Sequence, residues 1–188
     1  MQERFPEMGI IWCPEAVDGA VYQKGKQLKD RTIDLLEFGR SNEKVLQTGA
    51  LSLNHVCTKQ NGKFIYTNEQ LFQAMGDAKL TIALPRCMTQ PEMAGDIETL
   101  TQRYWECMFS RMVMVGHAPK ELVDFIGYNP VIELREDISA EALIRDVLGH
   151  IDDYQELVDK NQETADRFGS WNVRMKWLME ELREEYGV

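Results

Sequence analysis

The amino-acid sequence predicts an α/β fold with a doubly wound, mostly parallel sheet, helices on both faces and a helical C-terminal tail. Short apolar segments typical of buried strands alternate along the chain with segments of about ten residues that have helical periodicity. From Ser139 onward the pattern is helical, since Leu143, Val147 and Ile151 recur four residues apart. Such alternation is typical of βαβ units, in which helices cover a parallel sheet.

Four strands are predicted for this sheet, and each is an apolar run. In chain order they are residues 33–38, 80–84, 112–115 and 131–134. Gly39, Pro85 and Gly116 end the first three strands, as residues typical of turns. Parallel strands joined through helices form a Rossmann-like sheet, in which ligands bind at the carboxyl ends of the strands.

The connections between these strands are predicted as follows. Helices are expected at residues 41–49, 67–76, 101–110 and 119–127. Thr67 and Gln70 have the spacing of a capping box, and Pro119 suits the first turn of a helix. Asn61 and Gly62 predict a small antiparallel hairpin between residues 55–58 and 63–66. Residues 86–98 are expected to be irregular.

The length of 188 residues suits one domain with a short appendage. Residues 18–31 are polar and contain several turn residues, as a loop or linker does. We therefore predict a linker or N-terminal extension at residues 1–30. A Rossmann-like domain, which includes the C-terminal helices, is predicted at residues 31–188.

Charge and composition argue against several classes of function. The chain has 21 Lys and Arg against 31 Asp and Glu, a net charge of −10, so no nucleic-acid partner is expected. No apolar stretch approaches the roughly 20 residues of a membrane-spanning helix, and the acidic N-terminus is not that of a signal peptide. A cytoplasmic location is expected. The spacing of the four cysteines and three histidines predicts no metal site, and no cofactor is predicted.

The turn after the first strand is a candidate phosphate site. Gly39 lets the backbone approach a phosphate, and Arg40 and Lys44 bring two cations close to the start of the next helix. An ordinary strand-to-helix turn with two solvated cations fits the same residues, so both interpretations stay open.

A second polar cluster lies around the start of the helix predicted at residues 101–110. Thr99 or Thr101 can cap this helix. Its free N–H groups and Arg103 suit an anionic ligand, while Glu106 can accept two ribose hydroxyls. The alternative is a capped helix with surface charges.

His117 follows the end of the third strand and is a third candidate. Its ring can contact a phosphate or a sugar hydroxyl. A partly buried histidine with satisfied hydrogen bonds is the alternative.

Taken in order, these segments resemble the C-terminal, donor-binding half of a GT-B fold glycosyltransferase, in the subgroup of group 1 and CgeB-like transferases of polysaccharide synthesis. Five segments carry this resemblance. They are similar to that family's linker (residues 14–18), its first strand with the "GR" turn (33–40), its donor-sugar loop (95–104), its "E-A-x-A-x-G-x-P-V-V" helix–strand unit (106–115) and its final crossover helix (171–174). The resemblance extends from about residue 9 to the C-terminus.

The resemblance implies roles for individual residues. Arg40, with Lys44, would hold the donor diphosphate, and Glu106 would hold the ribose. Glu98 matches the first position of the family's E-x7-E pattern, near the donor sugar. The other residues implied to surround the donor are Gly39, Thr99, Thr101, Arg103 and His117. No catalytic residue is assigned within the chain.

The resemblance also implies an activity and a missing partner. The ligand would be a nucleoside-diphosphate sugar, from which a hexose passes to a saccharide or other acceptor. An N-terminal acceptor-binding domain would complete the enzyme, so the isolated chain is expected to be inactive.

Two further interpretations stay open. Ser110, Arg111 and Met112 stand where the family has glycine and proline. This departure keeps open a non-catalytic ligand-binding or interaction module, and half of a nucleotide-sugar epimerase is another alternative. The last helix has an apolar stripe of Trp171, Met175, Leu178 and Leu182, which predicts either that the chain associates with itself or that this helix is mobile.

Overall fold

The computed structural model describes residues 9–39, 52–60 and 63–187. Its main sheet has five strands: β1 (Ile33–Glu37), β2 (His55–Cys57), β5 (Ala78–Ala83), β6 (Val113–Gly116) and β7 (Val131–Glu133). Their order is β2-β1-β5-β6-β7, and all four pairings are parallel. The predicted Rossmann-like α/β fold is therefore confirmed.

Helices and a small hairpin connect the strands. The hairpin pairs β3 (Lys59–Gln60) with β4 (Lys63–Phe64). The helices are α1 (Asn68–Asp77), α2 (Arg86–Thr89), α3 (Pro91–Ala94), α4 (Gln102–Phe109), α5 (Lys120–Ile126), α6 (Ala140–Gly149), α7 (Gln155–Phe168) and α8 (Trp171–Tyr186). Short 3₁₀ turns lie at Gly19–Val21, Leu28–Asp30 and Ile151–Tyr154.

Side chains alternate between the two faces of the sheet and bury one core on each face. Leu36 and Met114 belong to the core that α1, α4 and α5 cover. Leu35 and Val115 belong to the opposite core, to which α6 contributes Leu143, Ile144 and Val147. Helices on both faces explain why these strands read as continuous apolar runs.

The chain reverses its direction of travel across the sheet at β1. It passes from β1 to β2 on one side, and then returns to β5 on the other side. The carboxyl ends of β1 and β5 thus form the topological switch point, where open α/β sheets bind ligands. We call this side of the sheet the carboxyl edge.

Several local predictions are confirmed. Thr67 accepts a hydrogen bond from the Gln70 backbone N–H, and the Gln70 side chain accepts one from the Thr67 N–H, which completes the capping box. Gly127 ends α5 in the left-handed conformation (φ +81°).

Other local predictions are wrong or lie outside the described residues. Residues 55–58 were expected as a hairpin arm, but β2 joins the parallel sheet and the hairpin begins at β3. Two single-turn helices, α2 and α3, occupy the stretch predicted as irregular. Pro119 caps α5 rather than beginning it. The helix predicted at residues 41–49 lies outside the described residues.

Residues 9–30, predicted as a linker or extension, run along the domain and contribute to its cores. Val17 pairs with Ser170 in an isolated parallel bridge, and Leu28 is buried. Arg31 donates four hydrogen bonds to backbone carbonyls, those of Lys24, Lys26, Ala78 and Ser110. Burial, followed by repulsion from Arg111, lowers the pKa of Arg31 to about 10. In the described ranges, no helix combines the length and the apolar character that crossing a bilayer requires.

Candidate functional site

Arg103 reaches the switch point from the first turn of α4. Its Nη2 donates a 2.6 Å hydrogen bond to the carbonyl of Phe38, directly after β1, and its guanidinium stacks 3.9 Å from the Phe38 ring centroid. Gly39 has φ +75°, and a Cβ atom there would lie 2.0 Å from Arg103 Nη2. Glycine at this position therefore makes room for the guanidinium, which brings two predicted site residues together.

Arg86 follows β5, the other strand of the switch point, and was not among the predicted site residues. Its Nε donates to Gln90 Oε1 (3.2 Å) and its Nη2 contacts Met93 Sδ (3.1 Å). Across the described residues, neither Arg86 nor Arg103 forms an ion pair with a carboxylate. We call the carboxyl ends of β1 and β5, with Arg86 and Arg103, the basic end.

Two of the N–H groups near the start of α4, which were predicted to be free, have carboxylate partners. Glu15 Oε2 accepts from the Gln102 N–H (3.0 Å), and Glu121 Oε2 accepts from the Leu100 N–H (2.6 Å). Thr101 occupies the cap position, but its side chain makes no capping hydrogen bond. Two carboxylates that are distant in sequence replace the predicted threonine cap, and spacing within the helix gave no sign of them.

Glu106 lies one turn after Arg103 on α4 and is half-buried. Tyr22 donates a 3.1 Å hydrogen bond from its hydroxyl to Glu106 Oε1. Burial raises the pKa of the Glu106 carboxyl, and Glu15 raises it further, whereas Arg103 and the Tyr22 hydrogen bond lower it. The pKa of Glu106 lies above its usual range, because burial outweighs the stabilising effects of Arg103 and Tyr22.

His117 lies between two carboxylates at the carboxyl ends of β6 and β7. Its Nε2 is 2.6 Å from Glu98 Oε1, and its Nδ1 is 2.8 Å from Glu133 Oε2. Burial lowers the pKa of His117, but the hydrogen bonds and charges of Glu133 and Glu98 raise it more, so that it lies above its usual range. We call this group the acidic end.

Backbone N–H groups close to His117 donate further hydrogen bonds to both carboxylates. Glu98 Oε2 accepts from the Lys120 N–H (2.8 Å), and Glu133 Oε1 accepts from the Ala118 N–H (2.9 Å). Asn129 Nδ2 also donates to Glu133 Oε1 (2.8 Å). Glu133 was missed by sequence reasoning, although it closes the last strand at the edge where ligands were expected.

Tyr104 lies between the basic and acidic ends. It is fully buried, and its hydroxyl donates to the His117 carbonyl (2.8 Å). Burial raises the pKa of Tyr104 above its usual range. The charge of Glu98 raises the pKa of Tyr104 slightly, and the charge of Arg103 lowers it. Tyr104 thus connects α4, which carries Arg103, to the backbone at His117.

The other predicted site residues have different outcomes. Thr99 is exposed. Glu98 and Glu106, the two ends of the E-x7-E spacing, have separate partners. Arg40 and Lys44 lie outside the described residues. In residues 9–39, 52–60 and 63–187, no group of three or more His, Cys, Asp or Glu side chains is arranged to hold a metal ion.

This arrangement has the chemistry of a polar ligand site at the switch point of a Rossmann-like domain. Guanidinium donors suit phosphate or carboxylate, and carboxylates suit hydroxyl groups. The fold and site thus define the class of the chain as an α/β protein with a doubly wound parallel sheet. No protein-family model matches the sequence, and no curated protein matches it significantly.

Proposed function

We propose that the chain is the nucleotide-sugar binding domain of a cytoplasmic glycosyltransferase, which passes a hexose from a nucleoside-diphosphate sugar to a saccharide or other acceptor. The observation that supports it best is the Arg103 guanidinium, which the Phe38 carbonyl and ring hold at the switch point beside Gly39. Among the described residues, its direct partners there are a neutral carbonyl and a neutral ring, so the guanidinium can still form a charged hydrogen bond with an anion.

The half-buried pair of Glu106 and Tyr22 supports a ribose contact in this proposal. A carboxylate accepts two hydroxyls at once, which suits the neighbouring 2′ and 3′ hydroxyls of a ribose. The raised pKa of Glu106 means that desolvation already disfavours its charge. Two hydroxyl donors would compensate for that loss of solvation when the ligand binds.

The acidic end supports a contact with the sugar. Each oxygen of the Glu98 carboxylate has one hydrogen-bond donor, His117 or Lys120, and retains a lone pair. A nucleoside-diphosphate sugar is anionic at its centre and rich in hydroxyls at its sugar. Its two parts therefore match the basic and acidic ends.

In such a transfer the domain would stabilise the departing diphosphate. Negative charge develops on the diphosphate as the bond to the sugar breaks, and fixed guanidinium groups stabilise that charge without reorganisation. A second domain would position the acceptor and supply a base. We expect no transfer by this chain alone.

The last helix supports a further contact surface. Trp171, Met175 and Met179 on α8 are 40–46% exposed. Apolar side chains left in water promote association. We expect self-association, measured as a concentration-dependent sedimentation coefficient.

A second candidate is a non-catalytic module that retains the fold without the ligand. Glu15 and Glu121 favour it, because these carboxylates use N–H groups near the start of α4 that an anionic ligand would need. This candidate predicts no affinity for any nucleoside diphosphate.

Calorimetric titration separates the two candidates. The chain is titrated with UDP, GDP, uridine and guanosine, and we expect one diphosphate to bind more tightly than its nucleoside. Arg103→Ala should remove most of this difference, about 1.5–3 kcal/mol, the scale of a charged hydrogen bond. Arg183→Ala, an exposed change on α8, is the matched control and should bind as the wild type does. No heat with any diphosphate at millimolar concentration would favour the non-catalytic module.

A further inference from the structure

His117 is anchored to the sheet, whereas Glu98 lies in a connection. The His117 N–H donates to the Ala83 carbonyl (2.9 Å) on β5, and the His117 carbonyl accepts from Tyr104. Glu98 belongs to the segment between α3 and α4, which we call the Glu98 loop (residues 95–101). Its carboxylate contacts the sheet edge through the His117 ring and the Lys120 N–H. The loop has a second anchor at Leu100, whose N–H donates to Glu121 Oε2, so the ring acts on the part of the loop around Glu98.

The geometry requires a charged ring. A neutral imidazole has one N–H and one acceptor nitrogen, so it can donate to only one carboxylate. Both His117 nitrogens face carboxylate oxygens, at 2.6 and 2.8 Å. The other oxygen of each carboxylate accepts a backbone N–H, so both carboxylates act as hydrogen-bond acceptors in this group. The shared protons accordingly belong to the imidazolium.

We propose that His117 is a positioning residue that, as an imidazolium between Glu133 and Glu98, fixes the Glu98 loop on the carboxyl ends of β6 and β7, and that loss of its ring proton releases that loop. Glu133 acts through His117, because its carboxylate fixes the ring and stabilises the ring charge. The consequence for sugar binding rests on the proposed function, but the positioning itself does not.

The other charged and titratable groups around His117 determine when it loses its proton. They lie on α4 and α5 and in the neighbouring connections: Arg103, Tyr104, Lys120, Glu121 and Asp124. Tyr104 stays neutral, because its pKa is raised. Lys120 pairs with Asp124, so Glu98 and Glu133 are the charges that contact the ring.

The pH dependence has a definite sign. Because the folded pKa of His117 lies above its usual value, its contribution to stability is complete below about pH 6.5. That contribution disappears as the pH rises through the folded pKa. Alkaline solution should therefore loosen the Glu98 loop while the rest of the domain stays folded.

Proton NMR of the ring and amide exchange test this directly in the intact chain. The chain has three histidines, and loss of one ring signal in His117→Gln assigns the His117 resonance. We expect His117 to titrate above pH 6.5, the usual value for a histidine side chain. The Lys120 amide, which donates to Glu98, should lose protection by about tenfold over the same range, after correction for base-catalysed exchange. Titration of His117 at or below pH 6.5, or Lys120 protection that does not change across its titration, would overturn the proposal.

Two variants separate positioning from general stability. Glu133→Gln removes one charge from the ring and should lower the pH at which His117 titrates, which a purely structural role would not do. His117→Gln should abolish the pH dependence of loop protection. Glu163→Gln on α7, an exposed change of the same kind, should alter neither. An unchanged His117 titration in Glu133→Gln would contradict the inference, even if His117→Gln failed to fold.

Affinity measurements with His117→Gln distinguish this inference from the proposed function. In His117→Gln, affinity for UDP-glucose or GDP-mannose should fall about 3- to 10-fold more than affinity for UDP or GDP, because only the sugar contacts Glu98. Equal losses would overturn the role of His117 in sugar binding. If the wild type binds no diphosphate, the proposed function fails, and the NMR titration still decides the role of His117.

Discussion

The basic and acidic ends lie on the same edge of one sheet, yet they hold their charges differently. At the basic end, the guanidiniums of Arg103 and Arg86 contact a carbonyl, an aromatic ring, an amide oxygen and a thioether. At the acidic end, Glu98 and Glu133 are paired with the His117 ring and with backbone N–H groups. The first arrangement leaves charge for a ligand, whereas the second neutralises much of it internally.

This difference indicates how each end can contribute to binding. An unpaired guanidinium gains a full charged hydrogen bond when an anion arrives. A carboxylate already bonded to an imidazolium gains less, but its position is well defined, which favours selectivity. We therefore expect the basic end to dominate affinity and the acidic end to determine which sugar is accepted. The following predictions test that division.

The largest expected effect is at Gly116, which joins the two ends. A Cβ atom there would lie 1.9 Å from the Ala83 carbonyl oxygen on β5, a backbone atom that cannot move aside, and φ is +155°. Gly116→Ala should therefore destabilise the domain by about 3 kcal/mol, the upper range of overpacking. Thermal and urea unfolding measure this loss.

Gly149→Ala at the end of α6 is the control for Gly116→Ala. No heavy atom lies within 4 Å of the added Cβ, so this change should be neutral or stabilise the chain by up to about 1 kcal/mol. Equal stabilities for the two variants would show that the β5–β6 edge relaxes easily and that the two ends are not rigidly joined.

Gly39→Ala should affect the basic end alone. The new Cβ would collide with Arg103 Nη2 and displace the guanidinium from the Phe38 carbonyl. We expect affinity for the bound nucleoside diphosphate to fall about tenfold, or about 1.4 kcal/mol, while the His117 titration stays unchanged. Calorimetry and NMR measure the two effects.

Gly127→Ala is matched to Gly39→Ala. Gly127 has a similar φ of +81°, but no heavy atom lies within 4 Å of its added Cβ. Both variants should lose about 1 kcal/mol of stability through left-handed strain, whereas only Gly39→Ala should lose affinity. A shared loss of affinity would mean that general destabilisation, rather than the position of Arg103, weakens binding.

Glu106→Gln should have opposite effects on stability and binding. Since burial raises the pKa of Glu106, its ionisation opposes folding as the pH rises from about 4.3 through the folded pKa. Glutamine removes that charge and retains an acceptor for Tyr22. Above this pH window we expect the variant to be more stable by roughly 0.5–1 kcal/mol, the scale of one hydrogen bond. Below about pH 4 the two proteins should unfold alike.

Binding provides the other half of the Glu106 test. Glu106→Gln should lower the affinity for a nucleoside and for its diphosphate by the same factor, because both ligands contain the ribose. Calorimetric titration with the two ligands measures both affinities. A loss of affinity confined to the diphosphate would place Glu106 near the phosphates instead. If Glu106→Gln were less stable than the wild type at pH 7, the ionised carboxylate would not destabilise the fold as we expect.

The sequence was sufficient for four of the five strands of the sheet and for Gly39 and Arg103 of the basic end, but not for β2 or Arg86. Strand periodicity and turn residues located β1, β5, β6 and β7 within about two residues, because fully buried strands have continuous apolar runs. Gly39 and Arg103 were both predicted at the switch point, since parallel topology brings the carboxyl ends of neighbouring strands together.

The acidic end was predicted less well, and the reason is physical. Its hydrogen bonds join residues 16 and 19 positions apart, such as His117 with Glu133 and with Glu98. No periodicity encodes such contacts. The sequence therefore left His117 open between a ligand contact and a partly buried histidine with satisfied hydrogen bonds, and the structure shows the second with two partners that the sequence did not identify. In the same way, Glu15 reaches the start of α4 across 87 positions, and local capping rules favour Thr101 there.

The smallest expected effect is at Arg111, on the opposite edge of the sheet, just before β6. Its φ of +53° lies in the left-handed region that favours glycine, the residue that the resembled family has near this position. Arg111 also pairs with Asp159 on α7. Arg111→Gly removes about 1 kcal/mol of backbone strain but loses the ion pair and adds chain entropy, so its net effect should stay within about 0.5 kcal/mol. Arg111→Ala loses the pair and retains the strain but avoids the chain entropy that glycine adds, so it should be less stable than Arg111→Gly by only about 0.5 kcal/mol. Urea unfolding of both variants measures that difference, and equal stabilities would show that the left-handed backbone is not strained there.

Because Arg111 is remote from the carboxyl edge, neither variant should change diphosphate affinity or the His117 titration. A change in either would mean that β6 transmits strain along its length, and that the two ends do not act independently of the sheet that bears them.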